Sequence, residues 1–237
     1  MDHRTAIAEK GFTVVNDVFN TAAVEALITC IENTDTAKAT FRRTKDLFAI
    51  RQFFKEVPVS LPLVFIPALH QVIDTLFGHG YHVVKSIYFD KPAGSNWFVS
   101  YHQDLTISVK EKAVMEGYGP WTVKQDQYAV QPPLQILEDN FTIRIHLDDT
   151  DENNGALRVI PGSHRKGIYR PEAIDWQNEV EETCTVQKGG LMIMRPLLLH
   201  ASSRTNNQQP RRVIHIECSR TELPLPLRWS EKVNLPG

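Results

Sequence analysis

Apolar residues in the first part of the chain follow a helical spacing over 21–33. Four of them recur every three or four positions and so share one helical face: Val24, Leu27, Ile28 and Ile31. Asn20 or Thr21 can cap the start of this helix, because a short polar side chain there accepts a bond from a free backbone N–H. The pattern predicts an amphipathic helix with its apolar face on a core.

The remainder of the first 80 residues is predicted to be mainly helical as well. A short strand is expected over 11–15, and a second helix over about 45–57. A third helix is expected to follow Pro62 and to end at Gly78, since proline favours the first turn of a helix and glycine its end.

After residue 80 the pattern changes to short runs of β-branched and aromatic residues. Six such runs are predicted as strands: 81–89, 97–102, 141–147, 156–160, 191–194 and 211–218. Turn-forming clusters such as 92–96 and 151–155 separate them. Many short strands with turns of this kind indicate a β-sandwich or a jelly roll, preceded here by helices.

One long segment, 105–139, shows little regular pattern. Loops of this length inside a compact domain tend to be functional, so the segment is a candidate active-site lid. Trp121 and Tyr128 within it can line a pocket or pin the loop to the core.

Composition and charge limit the classes of protein to which this chain can belong. The chain has 237 residues, 42% hydrophobic and 23% charged, and a formal net charge of −2. We expect one domain over 1–237, with a helical support region (1–80) and a jelly-roll core (81–220).

The charge predicts no nucleic-acid partner. Short apolar runs and the polar N-terminus predict neither a membrane span nor a signal sequence, and three widely spaced cysteines fit reduced thiols in a cytoplasmic protein.

Alternating histidine and acidic residues are the first candidate chemistry. Residues two apart on a strand share a face, so His-x-Asp can present two metal ligands together. Three such pairs occur: His102 with Asp104, His146 with Asp148, and His215 with Glu217. Context favours the first, because Asp104 ends a strand and opens the 105–139 loop, whereas Asp148 belongs to an acidic turn. Non-haem iron(II) sites combine two histidines and one carboxylate in this way.

His200 is the candidate third ligand, although a strand-end histidine is also common in ordinary cores. The polar residues 201–210 after it predict a hairpin that returns Arg211 and Arg212 alongside His200. An arginine fork suits the far carboxylate of 2-oxoglutarate, which it binds through two parallel hydrogen bonds. Either arginine can serve, and the other then points to solvent.

Several motifs, in order, resemble the phytanoyl-CoA dioxygenase family of Fe(II)/2-oxoglutarate oxygenases. The resemblance covers about 11–218, and its motifs are Phe89-Asp90-Lys91-Pro92, Tyr101-His102-Gln103-Asp104, Asn154-Gly155-Ala156-Leu157-Arg158-Val159-Ile160-Pro161-Gly162-Ser163-His164 and Pro196-Leu197-Leu198-Leu199-His200-Ala201-Ser202-Ser203 followed by Arg211.

The resemblance implies a double-stranded β-helix of the cupin-like jelly-roll type. It implies iron(II) on His102, Asp104 and His200, and 2-oxoglutarate on Arg211 rather than Arg212, with Ser202 near its carboxylate. The expected activity is hydroxylation of a small molecule with O2. Asp104 favours hydroxylation, because related halogenases have a small residue in its place.

The central predicted strand departs from the family pattern. Thr142, Arg144 and His146 share one face by their spacing, and Ile143 and Ile145 share the other. If the polar face looks into the barrel, Arg144 and His146 stand near the metal and can bind a substrate or cosubstrate carboxylate. If it is the outer face, these side chains are solvated and the isoleucines point inward.

Two lysines of the first long predicted strand raise a similar choice. Lys85 and Lys91 share the spacing of Phe89, so one of them can reach inward. The simpler expectation is that both extend to solvent.

Two other functions compete with the oxygenase prediction. One is a cupin-like metal enzyme that does not use 2-oxoglutarate, which leaves the cationic Arg211 without a role. The other is a non-catalytic jelly-roll binding protein, which has no need of a His-Asp-His set.

Overall fold

The computed structural model describes residues 1–34, 40–46, 48–124 and 127–235 of the protein, without the side chain of residue 124. Within these residues the α-helices are α1 (His3–Lys10), α2 (Thr21–Glu32), α3 (Phe53–Glu56), α4 (Leu61–Val64), α5 (Pro67–Phe77) and α6 (Leu134–Asp139). The strands are β1 (Phe12–Val15), β2 (Phe41–Arg43), β3 (Phe48–Arg51), β4 (His82–Lys91), β5 (Val99–His102), β6 (Ile107–Val109), β7 (Trp121–Lys124), β8 (Gln127–Val130), β9 (Phe141–His146), β10 (Leu157–Val159), β11 (Glu182–Cys184), β12 (Leu191–Met194), β13 (His200–Ser202), β14 (Arg211–Ser219) and β15 (Val233–Asn234).

Two sheets form the jelly roll. The larger has the order β1-β12-β9-β14-β4-β3-β2, with β15 also paired to β4, and the smaller has the order β11-β10-β13-β5. All the pairings in both sheets are antiparallel. Apolar side chains of β1 and β12 pack with those of β10 and β11, so the two sheets face each other. The fold is the predicted double-stranded β-helix.

Helices cover the outer face of the larger sheet. The face of α2 that the sequence predicts is buried against this sheet, and its N-cap is Asn20, whose side chain accepts from the backbone N–H of Ala23 (2.9 Å). On the sheet side, Ile143 and Ile145 belong to the same core cluster as the helices. The alternate residues of β9 therefore face the space between the two sheets.

The predicted helix over 45–57 is wrong for most of its length. Residues 48–51 form strand β3, which pairs with β4 at one side of the larger sheet, and only Phe53–Glu56 are α-helical. Phe48 packs edge-on against Tyr88 of β4, with ring centroids 6.2 Å apart. This tertiary contact overrides the local helical pattern. Residue 47 lies outside the described residues.

The third predicted helix is present in two pieces. Helix α4 ends at Val64, and Ile66 has an extended backbone before α5 begins at Pro67. Proline disfavours a helical conformation in the residue before it, which explains the break. Gly78 ends α5 with a φ of +81°, as the sequence predicts.

Residues 105–139 have more regular structure than their sequence pattern indicates. Strands β6, β8 and β7 form a three-stranded sheet, and α6 follows. Trp121 and Tyr128 pack on a cluster that includes Trp229, so these aromatic rings hold the segment to the core. Residues 125–126 lie outside the described part.

Length and apolarity decide whether a helix of the described residues could cross a bilayer. None of them alone has both the length and the apolarity to cross a bilayer, and one pair, Pro58–Val64 with Pro67–Phe77, passes that test only when joined across a 70° bend.

Gly189 and Gly78 provide a matched test of the packing. Both have a φ near +80°, but a Cβ on Gly189 would lie 2.0 Å from the carbonyl oxygen of Phe19, whereas Gly78 has no heavy atom within 4 Å of that position. Gly78 has φ +81° and ψ −162°, a conformation that almost only glycine adopts, so we expect Gly78→Ala to lower the free energy of unfolding by about 1–3 kcal/mol from the backbone alone. Gly189→Ala should lower it by about 1–3 kcal/mol more than Gly78→Ala does, because overlap with the carbonyl of Phe19 adds to the backbone cost. Equal losses in chemical denaturation would contradict this packing.

Candidate active site

The adjoining ends of two strands bring the predicted metal ligands together. His102, the last residue of β5, is the register partner of His200, the first residue of β13. Asp104 follows two residues after His102, and its backbone N–H donates to the carbonyl of Pro196 (2.9 Å). Ligand atoms of His102, Asp104 and His200 all lie within 4.8 Å of one another.

Gln103 anchors the segment that carries two of these side chains. Its Nε2 donates to the carbonyls of Leu197 (2.6 Å) and Gly167 (2.8 Å), and its Oε1 accepts from the backbone N–H of Tyr169 (2.8 Å). All the polar atoms of this side chain are therefore used. Gln103 thus fixes the backbone from which His102 and Asp104 project.

Both imidazoles are oriented by backbone carbonyls. Nδ1 of His102 bonds the carbonyl of Ser100 (2.8 Å), and Nδ1 of His200 bonds that of Leu198 (2.9 Å). Because a carbonyl only accepts, each Nδ1 carries a hydrogen, and in the neutral ring this leaves the lone pair on Nε2. Each Nε2 lies 3.8 Å from a different carboxylate oxygen of Asp104. This is the arrangement of a metal-binding histidine with a hydrogen-bonded second nitrogen.

The charge state of the group also suits a cation. Burial acts to raise the pKa of Asp104, but the neighbouring imidazoles of His200 and His215 and the ammonium group of Lys85 outweigh it and hold that pKa well below its ordinary range. Burial lowers the pKa of His200 to about 4, so this imidazole is neutral near pH 7. Oδ2 of Asp104 is buried and has no hydrogen-bond partner among the described residues. An ionised carboxylate and neutral imidazoles are the forms that bind a divalent metal.

The second His-x-Asp pair does not converge in this way. Asp148 accepts from Nε (2.9 Å) and Nη2 (2.7 Å) of Arg212, which occupies both carboxylate oxygens. His146 is buried, and its Nδ1 bonds the hydroxyl of Thr150 (2.8 Å). The pair is thus divided between an ion pair and a side-chain hydrogen bond.

The third pair, His215 and Glu217, lies close to the first. With Asp104 it forms another group whose ligand atoms lie within 4.8 Å of one another. Glu217 is already paired with the ammonium group of Lys85 at 2.6 Å, and His215 is bonded to Arg144. These partners compete with any metal there.

A cavity of about 180 Å³ opens beside the three converging side chains. His102, Asp104 and His200 line it together with Arg211 and Ser202. None of the described residues in 105–139 lines this cavity, and the prediction that the segment is a lid stays a prediction.

Arg211 and Arg212 point to opposite sides of β14. Arg211 is buried in the cavity wall, where its Nη1 donates to the carbonyl of Gly155 and its Nε has no partner among the described residues. Burial, reinforced by the charge of Arg144, lowers the pKa of Arg211 to about 9, so the group is still a cation near pH 7. The hydroxyl of Ser202 is also buried, and no described residue bonds it. These unpaired donors leave room for an anion.

The polar face of β9 looks into the protein, and both faces of this strand are buried. Arg144 lines the cavity, but His146 does not. The solvated alternative for these side chains is wrong, because the helices cover the isoleucine face and the smaller sheet covers the polar face.

The expectation that Lys85 and Lys91 both extend to solvent is also wrong. Lys85 lines the cavity, and Lys91 is fully buried, donating to the carbonyl of Ser203. Lys85 and Lys91 lie an even number of positions from Phe89, which also lines the cavity. Alternation along a strand therefore predicts that all three side chains point to the same face. Glu217, which pairs with the cavity-lining Lys85, is a further charged residue beside the site that only the His215-x-Glu217 pattern indicates.

Solved structures of low sequence identity share this fold. Apo EctD from S. alaskensis is 19% identical, with a TM-score of 0.72 over 98% of this chain and 85% of that one. HygX from Streptomyces hygroscopicus, solved with nickel, 2-oxoglutarate and hygromycin B, is 14% identical, with a TM-score of 0.66 over 99% and 96%. SnoK, a non-heme alpha ketoglutarate dependent carbocyclase from nogalamycin biosynthesis, is 14% identical, with a TM-score of 0.67 over 92% and 82%.

Sequence comparison adds the family. No protein of curated function matches the chain significantly. The family model described as phytanoyl-CoA dioxygenase (PhyH) matches residues 7–213, which include the two histidines, the aspartate and Arg211. The chain belongs to the phytanoyl-CoA dioxygenase family.

Proposed function

We propose that this protein is an Fe(II)- and 2-oxoglutarate-dependent dioxygenase that hydroxylates a small molecule. The observation that carries the proposal is one cavity lined both by the His102, Asp104 and His200 group and by the guanidinium of Arg211, whose Nε has no partner among the described residues. We also propose that residues 1–237 act as one oxygenase domain, because β1 and β15, near the two ends of the chain, join the same sheet.

The three converging side chains supply a donor set that fits ferrous iron. Two neutral imidazole nitrogens and one carboxylate oxygen are the ligands of non-haem iron(II) oxygenases, which keep the other positions open. The orphaned Oδ2 of Asp104 supports this fit, since a buried carboxylate oxygen without a donor is costly unless a cation satisfies it.

Arg211 and Ser202 supply the anchor for 2-oxoglutarate. The free Nε of Arg211 and the free hydroxyl of Ser202 are buried on the same cavity wall, and both can donate to one carboxylate. The far carboxylate of the cosubstrate would satisfy both donors. Structures of EctD and HygX that contain 2-oxoglutarate support the same ligand here.

When bound, Fe(II) and 2-oxoglutarate supply chemistry in which O2 converts 2-oxoglutarate to succinate and CO2 and one oxygen atom enters a substrate C–H bond. The chain itself binds and orients. The carbonyls of Ser100 and Leu198 hold the imidazoles in one tautomer, and Arg211 sets the direction of the cosubstrate. Apolar side chains such as Leu157 limit the water in the cavity.

The two competing functions explain less of the site. A metal enzyme without 2-oxoglutarate leaves the buried cation of Arg211 without an anion, at a cost in desolvation. A non-catalytic binding protein leaves the oriented imidazoles and the unpaired Asp104 oxygen without a purpose.

Variants of the three proposed ligands test the metal assignment. His102→Ala and Asp104→Ala should each weaken binding of Mn(II), a stable substitute for Fe(II), by at least about 100-fold, because each removes a donor atom. In wild-type protein, 2-oxoglutarate added anaerobically to the Fe(II) form should produce the absorption band of the keto-acid chelate, and neither variant should produce it.

His146→Ala is the matched control, because His146 belongs to the other His-x-Asp pair and does not line the cavity. It should keep the Mn(II) affinity within about threefold of wild type. Loss of the metal in this variant, with retention in His102→Ala, would show that the wrong pair has been assigned.

Arg211 and Arg212 form a second matched pair, for the cosubstrate. Arg211→Gln should weaken 2-oxoglutarate binding by roughly 2–4 kcal/mol, because a buried charge pair is lost. Arg212→Gln should change it far less, since Arg212 is turned to Asp148. Titration of the Mn(II)-loaded protein with 2-oxoglutarate measures both, and equal or reversed effects would refute the assignment.

A further inference from the structure

A chain of four polar side chains runs along the cavity wall beyond the proposed metal ligands. Nη1 of Arg144 lies 3.0 Å from Nδ1 of His215, and Nε2 of His215 lies 3.2 Å from Oε1 of Glu217. The same oxygen of Glu217 accepts from Lys85 at 2.6 Å. Arg144, His215 and Lys85 all line the cavity. This group, the Arg144 relay, belongs neither to the metal set nor to the Arg211 anchor.

The hydrogen-bond directions in the relay show that Arg144 lacks a counter-ion. A guanidinium only donates, so Nδ1 of His215 must accept and therefore carries no hydrogen. Its Nε2 then carries the hydrogen and donates to Glu217, and the imidazole is neutral. Arg144 is thus bonded to a neutral ring, and its Nε is buried without a partner among the described residues.

The charges of the assembled centre are otherwise matched, if the proposed function is correct. The two positive charges of Fe(II) are balanced by Asp104 and by the near carboxylate of 2-oxoglutarate. The positive charge of Arg211 is balanced by the far carboxylate. Lys85 meets Glu217. Lys91 is turned to the carbonyl of Ser203 and does not line the cavity. Among the positively charged side chains that line the cavity, Arg144 is therefore the one that remains for another anion.

Arg144 also lies at a different place from the cosubstrate anchor. Arg211 is the first residue of β14, and Arg144 is the register partner of His215, four residues further along. Four residues of an antiparallel strand span roughly 13 Å. The Nη1 side of Arg144 is used by His215, which leaves the edge formed by Nε and Nη2. That edge binds a carboxylate through two parallel hydrogen bonds.

Apolar side chains on the same wall indicate the character of the remainder of the ligand. Ile87 and Phe89 follow Lys85 at alternate positions of β4, and all three line the cavity. Phe89 stacks with Trp97 at a centroid distance of 6.4 Å and an interplanar angle of 22°. Aromatic faces of this kind favour an apolar or planar group.

We propose that the substrate of this oxygenase is a small carboxylic acid whose carboxylate binds Arg144 and whose apolar part lies on Phe89 and Trp97. This inference rests on the proposed function and specifies the substrate class of the same site. His215 positions the guanidinium, and the Glu217–Lys85 pair holds His215 in the tautomer that accepts from it.

Benzoate and benzamide form a probe pair that tests the carboxylate, because they share a shape and differ in charge. Protein saturated with Zn(II) and 2-oxoglutarate, so that Arg211 is occupied, is titrated with each probe and followed by ligand-observed NMR. Wild type should bind benzoate at least about tenfold more tightly than benzamide. Arg144→Gln should reduce this preference to less than about twofold and change the 2-oxoglutarate affinity by less than about threefold.

Arg204→Gln is the matched control, because Arg204 is exposed and lies over the ring of Phe98, outside this cavity. It should keep both the preference and the 2-oxoglutarate affinity. If Arg144→Gln fails to fold, Arg144→Lys retains the charge without the two-donor edge, and an intermediate preference is expected.

Equal binding of the two probes to wild type would overturn the proposal. So would an Arg144→Gln variant that keeps the preference but loses 2-oxoglutarate affinity, which would assign Arg144 to the keto-acid end of the cosubstrate. Failure of the proposed function has a different signature, because wild-type protein would then bind no 2-oxoglutarate in the presence of metal.

Discussion

The antiparallel pairing of β5 with β13 is the constraint on which the site depends. It sets His102 opposite His200 at adjoining strand ends, and Asp104 follows within two residues. Residues that are 98 positions apart along the chain thereby share one small volume. Gln103 and the carbonyls of Ser100 and Leu198 then fix the directions of the side chains. A site built on strand ends in this way is more rigid than one built on loops.

The interior between the sheets is unusually rich in charge for a protein core. Arg144, Arg211 and the carboxylate of Asp104 line one cavity, and each has a buried polar atom without a partner among the described residues. The buried Glu217 pairs with Lys85, which also lines that cavity. Such burial opposes folding stability unless a counter-ion is present. We therefore interpret these groups as an interior prepared for a metal ion and two anions, in which ligand binding recovers the cost of desolvation.

Strand periodicity accounts for most of what the sequence could predict about the site. The spacing of His102 and Asp104, and the opposite directions of Arg211 and Arg212, are the direct result of alternation along a strand. The motifs shared with the phytanoyl-CoA dioxygenase family located the same residues and implied the double-stranded β-helix, which is the fold observed.

The errors arose where tertiary contacts decide the outcome. Phe48 has a helical pattern around it, yet it lies on a strand because Tyr88 of the neighbouring strand packs against it. Lys85 was expected in solvent because lysine usually is, and only its partner Glu217, 132 positions away, makes the inward direction favourable. The face of β9 that holds Arg144 could not be chosen from its own letters, since helices cover the other face as well. Which partner a strand receives is not encoded in its local pattern.

The proposed site requires that one divalent ion and one 2-oxoglutarate share the cavity in a single orientation. Anomalous diffraction from crystals grown anaerobically with Mn(II) and 2-oxoglutarate measures this most directly. We expect one manganese peak in contact with Nε2 of His102, Nε2 of His200 and a carboxylate oxygen of Asp104, with the far carboxylate of 2-oxoglutarate on Arg211. A manganese peak on Glu217 and His215 without His102, or a far carboxylate bound to Arg144, would contradict it.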